Sequence, residues 1–372
     1  MKIVMVGGTW DAGVGKPSGV FESFINGFKA CFHEHQFAVF NGGNLTILQN
    51  ATPDLIPTAD VVVWMPHIDN EQPKTVRGLK ALNPRMILVT SKRNDTDKYS
   101  IADVVAHALA CKANLVIEIK TRLGKDDKVR FVGTLLDPLG NAFFEATDNF
   151  GVLGMFAACR VEQLQRMTRV GSRQLEGEAP KPPNGVADAF VEVVRNAADR
   201  FSDLVPSSKL AKRFLGNASF RCSHGFPSFK EDGVVFVSRR DTDKTALTPD
   251  QFVPVRLGED GYTEYWGEHL PSVDTPVQLR LYQHYPNIRY MLHGHVYVSL
   301  GAWTDSVIPC GALQEVDAVI RALPVDETTC NAAVNLLGHG CLLMASDPYH
   351  MPLRFYARGC PELQPTSLTL GC

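Results

Sequence analysis

The side chains best suited to chemistry gather late in the chain. Pro271-Ser272-Val273-Asp274-Thr275-Pro276 is followed by His293-Gly294-His295 and then by Gly338-His339-Gly340. One carboxylate and three imidazoles make a donor set for a divalent cation. Strand side chains alternate between faces, so histidines at i and i+2 point the same way and both rings can reach one ion. The pattern predicts a short helix over 277–285 and a strand over 290–299. The helix folds Asp274 back over the strand, and His339, bracketed by glycines, closes a three-His set. Such a set leaves room for water or substrate, as catalytic zinc sites do. Taken alone, an HxH pair reads more simply as two partly exposed strand histidines, so the surrounding motifs decide.

Those motifs run in order from Leu215. They are Gly216-Asn217-Ala218-Ser219-Phe220-Arg221, Val235-Phe236-Val237-Ser238-Arg239-Arg240-Asp241, Leu247-Thr248-Pro249-Asp250-Gln251-Phe252-Val253, the PSVDTP run, and the HGH and GHG segments. This order resembles the class II aldolase/adducin family over roughly residues 185–358. The resemblance implies an α/β/α domain with a mainly antiparallel sheet. It implies His293, His295 and His339 as ligands of Zn²⁺ or another divalent metal. Asp274 then serves as general acid/base, at a position the aldolases usually give to glutamate. The implied chemistry is aldol-type cleavage of a sugar phosphate or sugar-like compound through a metal-bound enediolate.

The family also contains epimerases, dehydratases and the non-catalytic scaffold adducin. Asp274 and Val307-Ile308-Pro309-Cys310 are epimerase-like, whereas the segment between His295 and Ile308 is shorter than in the epimerase. A scaffold has no physical need for four convergent ligands. Family enzymes also use a tyrosine to protonate a leaving group. Tyr349 and Tyr356 are the candidates here, with ordinary core or rim packing as the alternative. A homo-oligomer is implied by the resemblance alone.

The family's phosphate pocket combines the Asn of the GN motif, a Thr-Gly pair and two serines before the acid. Asn217 and Ser272 match, but Arg240-Asp241 replaces Thr-Gly and Val273 replaces the second serine. The substrate anion is then bound differently or is absent. Arg239, Arg240 and Lys244 can clamp a phosphate or carboxylate, since a guanidinium fork suits either group. The alternative is that the two arginines pair with Asp241 and Asp243 on a solvated turn.

A chain of 372 residues exceeds what one core normally serves, so two domains are expected. Apolar content of 45% and charged content of 21% describe an ordinary globular protein. The net charge of −3 and the absence of basic blocks predict no nucleic-acid partner. No apolar run is long enough to span a membrane, and the opening Met1 to Gly8 reads as a strand, not a signal peptide. Nine cysteines without a CxxC pair predict reduced thiols and a cytoplasmic location. None lies in a nucleophile motif, and all are read as structural or incidental.

Residues 1–168 alternate strand-like and helix-like segments, which predicts a doubly wound parallel sheet of Rossmann or flavodoxin type. Strands are expected near 2–6, 37–40, 59–65, 85–90 and 114–119, and helices over 19–32, 101–111 and 151–168. Such sheets bind ligands beyond the carboxyl ends of their strands. The candidate anion, nucleotide or nucleotide-sugar pocket there consists of Gly7, Gly8, Lys16, Ser18, Ser91 and Lys92. The alternative is a tight turn and a solvated basic loop, for neither a Walker A sequence nor GxGxxG is present. The Pro-rich stretch 169–185 reads as a linker, 186–360 as the metal domain opening with an amphipathic helix over 186–205, and 361–372 as a loosely held tail.

Overall fold

The structure is a computed structural model. It describes residues 1–11, 14–16, 18–32, 35–41, 54–67, 73–94, 99–123, 126, 128–144, 146–182, 185–205, 207, 210, 216–222, 233–324 and 329–358. The chain divides into two compact units, with the boundary between Arg166 and Met167.

The strands of the first unit are β1 (Lys2–Asp11), β2 (Val14–Lys16), β3 (Gln36–Asn41), β4 (Val61–His67), β5 (Ile87–Asn94), β6 (Leu115–Leu123) and β7 (Val129–Leu136). Five pair in parallel in the order β3-β1-β4-β5-β6, which is the flavodoxin-like order. The helices are α1 (Gly19–Ala30), α2 (Pro73–Leu82), α3 (Ile101–Cys111) and α4 (Phe150–Arg166). Val61, Val62, Val63 and Trp64 are all fully buried at successive positions, so this strand is covered on both faces. The α3 helix starts where expected because Ser100 and Asp103 form a reciprocal capping box.

Three features differ from expectation. The sheet is not wholly parallel, because β2 folds back on β1 and β7 pairs antiparallel with β6. Helix α2 and strand β7 were not anticipated. Gly7 and Gly8 do not form a loop but continue β1, where Gly7 pairs with Asn41 and Met65. A Cβ on Gly7 would stand 2.3 Å from the Phe21 ring, so this glycine admits the core side of α1.

The second unit is a nine-stranded sheet between helices. Its strands are β8 (Ser172–Leu175), β9 (Asn217–Arg221), β10 (Val235–Ser238), β11 (Phe252–Leu257), β12 (Thr263–Trp266), β13 (Tyr290–Gly294), β15 (Ala302–Trp303), β16 (Asn331–Leu336) and β17 (Gly340–Ala345). Their order is β15-β16-β17-β13-β9-β10-β11-β12-β8, antiparallel except at its two edges. Alternation sorts the side chains. Phe220, Phe236, Leu292 and Leu343 cluster with Phe190, Val194 and Phe201 of α5 (Val186–Leu204). Val235, Val237, Met291, Leu342 and Met344 cluster with Leu281 and Tyr285 near α6 (Thr275–His284) and with Val316 and Val319 of α7 (Gln314–Ala322). The result is the expected α/β/α sandwich. Phe220, packed on Phe236 with ring centroids 5.1 Å apart, anchors one layer, and its truncation to alanine costs about 3–5 kcal/mol.

Two local readings change. The stretch read as a linker contributes β8, held at the sheet edge by Arg173, which pairs with Asp260 at 2.7 Å and with Glu264. The strand expected over 290–299 stops at Gly294; the chain bends and resumes as β14 (Tyr297–Val298), which pairs with β18 (Phe355–Tyr356) in a separate ribbon.

Candidate metal centre

His293 and Asn217 are cross-strand partners on β13 and β9. Both lie on the α6 face: Met291, two residues before His293, belongs to that core, and Ser219 Oγ lies 3.1 Å from the hydroxyl of Tyr282 on α6. His295 lies past the strand end, so the bend after Gly294, not strand alternation, brings its ring round. His339 sits in the tight turn between β16 and β17, its N–H donating to Leu336 O at 2.9 Å. The three ring centroids are 5.0, 4.6 and 5.2 Å apart, and one nitrogen from each ring falls within 4.8 Å of the others.

Glycine makes this approach possible at two places. At Gly340 (φ 153°) a Cβ would fall 2.1 Å from Gly294 O, and at Gly216 (φ 85°) it would fall 2.4 Å from His293 O. Any side chain at either position would push back the backbone that carries the HGH pair.

Each ring is oriented from behind. His293 Nδ1 lies 2.9 Å from Cys341 O, a carbonyl that can only accept, so Nδ1 carries the proton and Nε2 keeps its lone pair. His339 Nδ1 lies 2.6 Å from Glu315 Oε1, which leaves Nε2 as the nitrogen that can turn to a ligand, with Cys310 Sγ 3.0 Å away. His293 Nε2 and His295 Nδ1 are buried with no hydrogen-bond partner among the described residues. Orphaned buried nitrogens are costly unless something fills the space they face, and a cation fits that description. Burial, then the neighbouring His339, pushes the His293 pKa down to about 4, and burial pushes His295 well below its usual value. Both rings are therefore neutral near pH 7, the form that ligates metal. For His339, burial opposes the charge, but Cys310 and the Glu315 carboxylate together hold its pKa well above the usual value.

Asp274 is the N-cap residue of α6, yet its side chain makes no capping bond. Instead Oδ2 accepts from Asn217 Nδ2 at 2.9 Å and lies 3.9 Å from His293 Nε2. Asp274 Oδ1 is buried without a partner among the described residues. Asn217 is held in turn by Gln278 of α6, which donates to its Oδ1. Ser272 Oγ is 3.5 Å from the Asp274 N–H.

The remaining predicted residues are dispersed. Arg239 donates to Asp250 O at 2.7 Å and Arg240 to Pro271 O at 3.2 Å, while Asp243 binds Thr245. Lys244 is only 7% exposed, and its charge adds to the effects that hold His293 and His295 neutral. Tyr349 is 63% exposed, and Tyr356 lies in β18 beneath Arg354. In the first unit, Ser18 caps α1 through Phe21 N, and Lys92 stacks over Tyr99. The Lys16 side chain lies outside the described residues.

Four residues were not anticipated: Glu315, Cys310, Gln278 and Arg358, whose guanidinium donates to His295 O and Gly338 O. A signal existed for Glu315. It stands four residues before Val319, so an acid falls on the buried face of an amphipathic helix. The cleft of about 390 Å³ lined by Arg221, Cys222, Arg256 and Tyr282 lies at the opposite end of β9 from Asn217 and includes none of the candidate ligands. Its Arg221 is committed to the carbonyls that end α6.

The second unit is thus an α/β/α domain with a buried three-His, one-carboxylate centre at the end of its central strands. Residues 198–348, which lie within this unit, match the family model for the Class II Aldolase and Adducin N-terminal domain. Among solved structures, the chain is similar to an L-fuculose 1-phosphate aldolase from Glaciozyma antarctica PI12, with 13% identity over 45% of this chain and 70% of that one and a TM-score of 0.29. An aldolase II superfamily protein from Pseudomonas syringae matches with 13% identity over the same shares and a TM-score of 0.31. A DNA/pantothenate metabolism flavoprotein from Streptococcus pneumoniae matches with 10% identity over 44% of this chain and 99% of that one, at a TM-score of 0.34. No helix among the described residues is long and apolar enough to cross a membrane.

Proposed function

We propose that the second unit is a divalent-metal-dependent lyase of the aldolase type, acting on an anionic sugar-like compound such as a sugar phosphate. The observation that carries this reading is the pairing of three inward-turned imidazoles with an Asp274 oxygen that is buried and unpartnered. His293, His295 and His339 would hold the ion, with zinc the first candidate because an imidazole donor set suits it. When bound, the ion supplies a Lewis acid that stabilises oxyanion charge on the substrate.

The chain's own groups do the rest. Asn217 keeps Asp274 Oδ2 engaged, so protons enter and leave at Oδ1. There Asp274 takes the proton from the substrate hydroxyl as the carbon–carbon bond breaks, and it returns a proton to carbon afterwards. Lys244 is a buried cation whose field, with that of Arg358, reaches His295, and we assign Lys244 to the substrate anion. Tyr349 and Tyr356 remain the candidate leaving-group acids, and a homo-oligomer would be the setting in which the exposed Tyr349 meets a site. The first unit is assigned to a nucleotide or phosphorylated ligand, because its strand order reverses between β3 and β4 on either side of β1, and such switch points open crevices.

A test is aldehyde release from a panel of ketose and aldose phosphates by metal-loaded protein. Wild type cleaves at least one member, and Asp274→Asn lowers kcat by about 100- to 10,000-fold. Equal cleavage by the two proteins would sink the reading.

A further inference from the structure

The centre contains a fifth donor that the aldolase reading leaves unused. Cys310 Sγ lies 3.0 Å from His339 Nε2. Because His339 Nδ1 is taken by Glu315, Nε2 is the ring nitrogen left to face a metal, and the sulfur is set directly against it. One atom each from Asp274, Cys310 and His339 falls within 4.8 Å of the other two, as in the three-His group, and His339 is common to both groups. The turn holding Cys310 is pressed against the segment holding Asp274. Gly311 has φ 74°, and a Cβ there would stand 2.7 Å from Val273 O. Independently of the sulfur, the orphaned His293 Nε2 and His295 Nδ1 point to a cation in this space.

We infer that Cys310 is the fourth protein ligand of the metal in the substrate-free protein, giving a three-imidazole, one-thiolate set. The inference rests on the metal reading above. Thiolate is a strong ligand for zinc-like ions and reaches farther, with metal–sulfur bonds of about 2.3 Å against about 2.0 Å to nitrogen. On binding, the Cys310 S–H bond breaks, its proton leaves to solvent, and the sulfur electron pair forms the bond to the ion; no electron is transferred. The carboxylate of Asp274 is then left free for proton transfer.

The test loads untagged, metal-free full-length protein with Co²⁺ and records spectra of wild type, Cys310→Ser and Cys310→Ala. Alkylation of the Cys310 peptide in wild type is followed by mass spectrometry with and without the metal, using exposed Cys31 as the internal control. The inference expects a thiolate-to-cobalt charge-transfer band in wild type that both variants lose while visible cobalt bands persist. It also expects metal protection of Cys310 but not Cys31, and a loss of metal affinity in Cys310→Ala of at least about 10- to 100-fold. Visible cobalt bands without charge transfer, and alkylation of Cys310 unaffected by metal, would overturn it; Cys310 would then be only a hydrogen-bond partner of His339, and the three-His reading would stand. No cobalt bands in any protein would remove both readings together.

Discussion

Glu315 of α7 binds His339 Nδ1 at 2.6 Å, both side chains being almost wholly buried. Burial raises the pKa of Glu315, while the ring it faces favours its charged form. The contact fixes the tautomer that presents Nε2 to the metal. Loss of such an outer partner typically costs about 10- to 100-fold in metal affinity. Glu315→Gln should fall in that range by chelator competition, with folding retained because the amide can still accept from the ring.

Backbone contact at the centre predicts a more severe effect from a smaller change. Gly340→Ala would place a methyl 2.1 Å from Gly294 O, against backbone that cannot rotate away. A cost of about 1–3 kcal/mol or more follows, together with loss of tight metal binding, because the segment that moves carries His293 and His295. Gly171→Ala is the control, since its Cβ would meet only ordinary contact with Tyr262 at 3.6 Å. Denaturant titration and metal affinity should separate the two variants.

In the first unit, burial and then the charge of Lys92 lower the His107 pKa to about 4 from 6.5. The folded value lies below the unfolded one, so the unfolded chain binds more protons between them. The stability this neutral ring contributes is complete above pH 6.5 and lost as pH falls to about 4. Its upper size is roughly 3 kcal/mol. His107→Gln should therefore flatten the decline of the first unfolding transition between near pH 7 and near pH 4. An unchanged slope would show that His107 is not the group responsible.

Lys244→Met removes a buried cation beside the centre without removing a ligand. If Lys244 holds the substrate anion, KM for a phosphorylated substrate should rise by about 10- to 100-fold, the value of a charge-assisted hydrogen bond, at unchanged metal content. An unchanged KM would reassign the anion to another group.

The donor set was legible because its residue types are rare and their order distinctive. His293, His295, His339 and Asp274 do converge. Strand alternation positions His293, but the break after Gly294 positions His295, and strand ends follow from tertiary contacts that periodicity does not report. Asn217 illustrates a second limit. Its place in a GN motif suggested phosphate binding, whereas both ends of its amide are engaged by Asp274 and Gln278. Cys310 and Glu315 were missed because neither belongs to a local spacing pattern with His339; only the folded turn and α7 bring them to the ring. In the first unit the parallel core was legible from its apolar runs, while β8 of the second unit was hidden in a polar Pro-rich stretch that pairs with β12, where Arg173 meets Glu264.

The most direct measurement is metal content per chain by elemental mass spectrometry, on untagged wild type, His293→Ala and Asp274→Asn after reconstitution with zinc. About one ion is expected in wild type, with its loss in His293→Ala and its retention in Asp274→Asn, because the imidazoles form the site and the carboxylate serves proton transfer. Wild type that neither carries nor takes up an ion, or His293→Ala that holds as much as wild type, would contradict the metal reading.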